Sequence, residues 1–339
     1  VAVKPDMHEA LNNWGSALVA RARLTEGAAA EALLIDACER YAAAVAVKPD
    51  KHEALYNWGI ALTARAGLTE GAAAEALLLD ACERYAAAVA VKPDMHEALN
   101  NWGSALDARA RLTEGAAAEA LLIDACERYA AAVAVKPDTH EALNNWGSAL
   151  DARARLTEGA AADALFADAC ERYAAAVAVK PDKHAALYNW GSALADRAGL
   201  TEGAAAEALF ADACERYAAA IAVKPDMHEA LNNWGIALVA RFHLHIHAEI
   251  CDFLGEAEKI CIRSAELSEN RKVYNLACVK ALQGKDEECL HWLETALAHD
   301  TLPSVEHLMA DRDLESVRDK DWFRQFIAKV EEQREAASV

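Results

Sequence analysis

The chain has 339 residues, 54% of them apolar but only 6% aromatic, and a net charge of −20. That length allows two average domains or one elongated one. A chain so acidic is a poor match for nucleic acid or an anionic membrane, and no apolar run is long enough to cross a bilayer.

The sequence VAVKPD begins at residues 1, 45, 89, 133 and 177, and IAVKPD at 221, so a period of 44 holds five times without a gap. Residues 1–44 and 89–132 differ only at Val19 against Asp107. A fixed period of this size is the mark of a solenoid or array. Such internal identity fits a recent duplication or a consensus design equally well.

Within a unit the elements follow in order. Asp6 and Glu9 have the spacing of a capping box, with Pro5 ending the preceding helix. Leu11, Trp14 and Leu18 form one apolar stripe, which predicts a first helix from about Met7 to Arg23. Thr25-Glu26-Gly27 breaks it, with Thr25 the expected cap of a second helix from about Gly27 to Val47. That helix should turn Leu33, Ala37, Cys38, Tyr41, Ala44 and Val45 inward. Alternation of period two is absent, so no strand is expected. Trp14 is expected to be a buried anchor between units. Gly15 costs about 1 kcal/mol in a helix interior, and close approach of the partner helix would explain it.

Leu11, Trp14, Gly15, Leu18, Ala37, Tyr41, Ala44 and Pro49 fall in the order of the tetratricopeptide-repeat (TPR) pattern, which the unit resembles. Leu11 stands where that family often has Trp, and Trp14 where it has Leu. The 44-residue period is longer than the family's 34, so the unit looks like the longer TPR-like class. The resemblance implies an all-α, right-handed α-solenoid of antiparallel helix pairs. The array is expected over 1–300: units at 1–44, 45–88, 89–132, 133–176 and 177–220, a divergent unit at about 221–267 and a shorter one at about 268–300. Residues 301–339 look like a capping segment, since a solenoid needs a polar end.

Candidate chemistry is sparse. HLHIH holds His243, His245 and His247, but on a helix His245 points nearly opposite to the other two. No neighbouring Cys or carboxylate completes a known metal spacing, so no metal is expected. HEALN lacks the second histidine of H-E-x-x-H, with Asn12 in that place, and His184 is followed by Ala185. Neither catalytic residues nor a cofactor are expected. Cys38, Cys82, Cys126, Cys170 and Cys214 recur once per unit, too far apart for disulfides; reduced thiols favour a cytoplasmic setting. Cys251, Cys261, Cys278 and Cys289 are less constrained.

What differs between copies lies on one stripe of the first helix: the positions equivalent to 12, 16 and 19. A freely drifting solvated face accounts for this as readily as a ligand groove. The resemblance favours the groove, since that family lines its inner groove with the matching positions. The candidates are Asn12, Asn13, Ser16 and Val19 in the first copy; Tyr56, Asn57 and Ile60 in the second; Asn100, Asn101, Ser104 and Asp107 in the third; Asn144, Asn145, Ser148 and Asp151 in the fourth; and Tyr188 and Asn189 in the fifth. The family's carboxylate clamp needs Lys and Arg there, and these positions are neutral or acidic. The expected function is a non-enzymatic protein-interaction scaffold. Its partner would be a protein or peptide segment with an apolar anchor followed by basic residues. A self-associating structural array is the alternative. The first helix has no preceding partner helix in the sequence, which predicts pairing of two N-terminal repeats in a homodimer.

Overall fold

The computed structural model describes residues 7–245 and 252–337. Among these it is helical throughout, without a strand. The contacts divide it into two compact units, Val1–Pro181 and Asp182–Val339. The first unit holds four helix pairs: α1 (Met7–Ala22) with α2 (Gly27–Val47), α3 (His52–Ala66) with α4 (Gly71–Val91), α5 (His96–Ala110) with α6 (Gly115–Val135), and α7 (His140–Arg155) with α8 (Gly159–Val179). The second holds α9 (His184–Ala198) with α10 (Gly203–Val223), α11 (His228–Leu244) with α12 (Phe253–Leu267), and α13 (Tyr274–Leu282) with α14 (Asp286–Ala298). It closes with α15 (Val305–Ala310), a 3-10 turn at Arg312–Leu314 and α16 (Asp321–Ala337).

The first five pairs are each locked by a tyrosine over a glycine, and in α11–α12 the thiol of Cys261 takes the ring's place over Gly235. Tyr41, Tyr85, Tyr129, Tyr173 and Tyr217 are at most 2% exposed. A Cβ on Gly103 would lie 2.7 Å from Tyr129 Cε1, and the other four pairs repeat the arrangement. The expected close approach at Gly15 is therefore present, and its partner is the ring of Tyr41. Gly27 serves another purpose. It opens α2 at φ 58°, and its equivalents do the same at φ 58–61°, a left-handed backbone that glycine adopts without strain.

Four expectations are corrected. Trp14 is 54% exposed and its equivalents Trp58, Trp102, Trp146 and Trp190 are half-buried. Each lies under an arginine of its own pair, Arg40, Arg84, Arg128, Arg172 and Arg216, at 4.4–4.7 Å from the ring centre. The tryptophan is thus a cation–π shelf, and the tyrosine is the anchor. On α2 the buried residues are Ala30 and Leu34 with Ala37, Cys38, Tyr41 and Ala44; Leu33 and Val45 are half-buried. Thr25 does not cap α2. Its Oγ1 donates back to the carbonyls of Arg21 and Ala22 at 3.1 and 3.0 Å, finishing α1. Nor does the Asp-x-x-Glu box form in later copies: α3 starts at His52 with Lys51 as its cap residue and no side-chain cap bond. Exposed Asp50 lies too early, and its backbone carbonyl accepts from the His52 N–H instead, at 3.1 Å. The first such box includes Asp6, which lies outside the described residues, as do Val1–Pro5, His247 and Cys251.

Candidate functional site

The variable stripe of the first helix in each pair does two jobs. Its upper part forms a polar ladder between successive repeats. Asn57 donates to Asn12 Oδ1 at 3.1 Å, Asn101 to the Tyr56 hydroxyl at 3.2 Å, and Asn145 to Asn100 Oδ1 at 3.2 Å. In the second unit Asn233 donates to Tyr188 at 3.2 Å and Asn275 to Asn232 at 2.9 Å. Asn and Tyr substitute for each other at this rung because each offers an oxygen acceptor at the right reach. Asn13 is exposed; Asn144 and Asn189 are half-buried. The next position, Ser16 or Ser104, bonds the buried tyrosine hydroxyl at 3.2 Å, and Ser148 bonds Tyr173 likewise.

The lower part of the stripe lines open crevices between successive repeats. One, of about 200 Å³, is lined by Val19, Ala22, Arg23, Thr25, Ala30, Leu34, Ile60, Ala64 and Leu68. Another, of about 310 Å³, repeats the plan two copies on, with Asp107, Arg111, Leu122, Ala152 and Leu156 among its walls. Each crevice sits where one pair turns through its Leu-Thr-Glu-Gly loop and the next first helix leans against it. Of the sequence candidates, Val19, Ile60 and Asp107 line these spaces. The sequence reading missed the leucine lip, Leu68 and Leu156, which are 47% and 51% exposed, and the arginines Arg23 and Arg111. The available signal was a leucine repeated in every loop, where a solvated turn has no need of one.

The acidic positions carry their own counter-charge. Asp107 pairs with Arg111 at 2.5 Å and Asp151 with Arg155 at 2.6 Å, so a basic partner must compete with an arginine of the same helix. Burial pushes the Asp107 carboxyl above its ordinary value, against the pull of Arg111. The folded chain therefore binds that proton more tightly than the unfolded chain. The stability this group contributes is full at low pH and is lost as pH rises from the ordinary value of 3.8 through the raised one. Asp107→Asn should raise the denaturation midpoint at neutral pH, and the two proteins should converge in acid. A lower midpoint for the variant at neutral pH would show that the Arg111 pair outweighs the burial.

Cysteine chemistry is quiet. The eight described cysteines are buried free thiols. Burial pushes Cys82, Cys126 and Cys214 up to about 11, despite the guanidinium groups of Arg109, Arg153 and Arg241 beside them. At that value they are inert at neutral pH. Among the described residues one group could hold a metal ion: Cys278, Asp311 and Asp313 of the second unit.

Successive packed helix pairs with a small residue facing an aromatic define a TPR-like, all-α solenoid. The chain matches the family described as plant specific mitochondrial import receptor subunit TOM20 over residues 2–97 and 75–186, and belongs to that family. A tetratricopeptide repeat protein from Parabacteroides merdae is similar in fold at TM-score 0.52, 13% identity, 87% of this chain and 93% of that one. Pseudomonas aeruginosa PilF superposes at TM-score 0.48, 13% identity, 78% and 97% coverage, too loosely to carry an argument. No curated protein matches the sequence. No helix among the described residues is long and apolar enough to cross a membrane.

Proposed function

We propose that the chain is a non-enzymatic protein-interaction scaffold whose inter-repeat crevices hold a segment of a partner protein. The observation that carries this reading is the repeated apolar crevice with Asp107 in its wall, where burial disfavours its charge. A carboxylate kept against its own stability fits a residue retained for binding. The segment is helical or extended, places apolar side chains against Leu34, Ile60 and Leu68, and follows them with Lys or Arg toward Asp107 and Asp151. A net charge of −20 steers such a basic partner. The family description supports a segment of a protein to be imported as the partner class. It also moves the expected setting from the general cytoplasm to the neighbourhood of that organelle.

The test is a titration of a fluorescein-labelled amphipathic peptide with a leucine face and a lysine–arginine face. Binding should weaken as salt rises, and should weaken further in Asp107→Asn with Asp151→Asn and in Leu68→Ser with Leu156→Ser. Equal affinity for a peptide with glutamate in place of every basic residue would sink the reading.

A further inference from the structure

The second unit brings together donors that are far apart in sequence. Cys278 lies on α13, Asp311 follows α15 and Asp313 is in the 3-10 turn; one ligand atom from each lies within 4.8 Å of the others. His243 from α11 stands beside this group and touches it through Asp313, its Nε2 at 2.5 Å from Asp313 Oδ1. We propose that Cys278 Sγ, His243 Nε2 and the carboxylates of Asp311 and Asp313 form a binding site for a divalent metal of the zinc class.

Three features carry this. First, one sulfur, one nitrogen and two oxygen donors are the mixed set that zinc accepts and magnesium or calcium does not. Bond lengths of about 2.0–2.3 Å put tetrahedral donors roughly 3.3–3.8 Å apart, so Cys278, Asp311 and Asp313 need to close by about an ångström while His243 Nε2 draws back from Asp313. Second, Cys278 is 2% exposed, and its thiol meets Asp311 Oδ2 only at 3.8 Å, beside the Tyr274 hydroxyl. A thiolate bound to a metal would use that sulfur fully. Third, among the described residues no lysine or arginine is within ion-pair distance of either carboxylate. Arg318 donates to the Asp311 backbone carbonyl at 2.9 Å. The basic side chains at ion-pair distance are the imidazoles of His243 and, at 3.7 Å from Asp311 Oδ2, exposed His307. A divalent ion would supply the missing positive charge and displace the thiol proton as it binds.

The support around the donors is already in place. The Tyr274 hydroxyl donates to Asp311 Oδ2 at 2.5 Å, and the Asp313 N–H to Asp311 Oδ1 at 2.9 Å. Such bonds orient ligating carboxylates. The ion would staple α11, α13 and the turn, so its effect is on stability as well as on spectroscopy.

The experiment uses the full chain, stripped of metal by a chelator, held reduced by a phosphine and titrated with Co²⁺. One equivalent should give strong visible d–d bands with a near-ultraviolet thiolate-to-cobalt band, both displaced by Zn²⁺, and Zn²⁺ should raise the thermal midpoint. Cys278→Ser should abolish the thiolate band, and Cys214→Ser should leave it unchanged. Should Cys278→Ser lose its helical circular dichroism, His243→Gln and Asp313→Asn make the same comparison through weakened cobalt binding. Absence of stoichiometric cobalt bands, or bands that survive in these variants, would overturn the proposal.

Discussion

Replacing Tyr129 by alanine should destabilise the first unit by about 3–5 kcal/mol, the range for truncating a buried aromatic. The ring is 2% exposed and fills the space over Gly103, and its hydroxyl donates to Ser104 at 3.2 Å. Nothing nearby can collapse into the gap, because the facing residue is a glycine with no side chain to move. The loss should spread to the neighbouring pairs, since each repeat is held by those beside it. Trp102→Ala is the informative contrast. Its ring is half-buried and covered on one side by Arg128 at 4.7 Å, so its removal should cost less than that of Tyr129. Chemical denaturation followed by circular dichroism ranks the two, and the reverse order would restore the tryptophan as the anchor.

Gly103→Ala should also destabilise, against the helix propensity of alanine. Propensity alone favours the variant by about 1 kcal/mol. The new Cβ, however, would lie 2.7–2.9 Å from three carbons of the Tyr129 ring. A ring packed on both faces cannot swing away, so α5 and α6 must separate, and overpacking of this kind costs about 1–3 kcal/mol. Tyr129→Phe should not rescue the variant, because the clash is with ring carbons and not with the hydroxyl. Gly115→Ala tests the other glycine class: a Cβ there meets nothing within 4 Å, but φ is +59°, so its penalty comes from the backbone, about 1–2 kcal/mol. A more stable Gly103→Ala protein would mean that the helices of a pair do not approach as closely as described.

The helix pairs were legible in the sequence because their signals are local. Pro49, Gly27 and the 44-residue period place the breaks, and α2 runs over the residues that those breaks allow. The glycine beside Trp14 was legible too, since an unexplained cost in a helix asks for a close neighbour. The tryptophan itself was misread because a stripe counted along one helix cannot see Arg40, which comes from the other helix of the pair. Leu34 replaces Leu33 for a related reason: in an alanine-rich helix the apolar face is broad, and the partner decides its centre. The crevice was half legible. Val19, Ile60 and Asp107 lie on the variable stripe, whereas Leu68, in a loop, belongs to no helical period. The cluster at His243 was not legible at all, since 70 residues separate that histidine from Asp313 and no short spacing connects them.

Hydrogen–deuterium exchange of the full chain, with and without the amphipathic basic peptide, tests the central claim most directly, because it reports where a segment binds as well as whether it does. The account predicts slowed exchange at the turns and helix ends that wall the crevices, about residues 19–34, 60–68, 107–122 and 152–156, with the second helices of the pairs beyond those walls unchanged. It also predicts that the protection fades in Asp107→Asn with Asp151→Asn. Protection confined to the exposed backs of those second helices, or the same protection from a glutamate-for-lysine peptide, would contradict a scaffold that reads partners through its inter-repeat crevices.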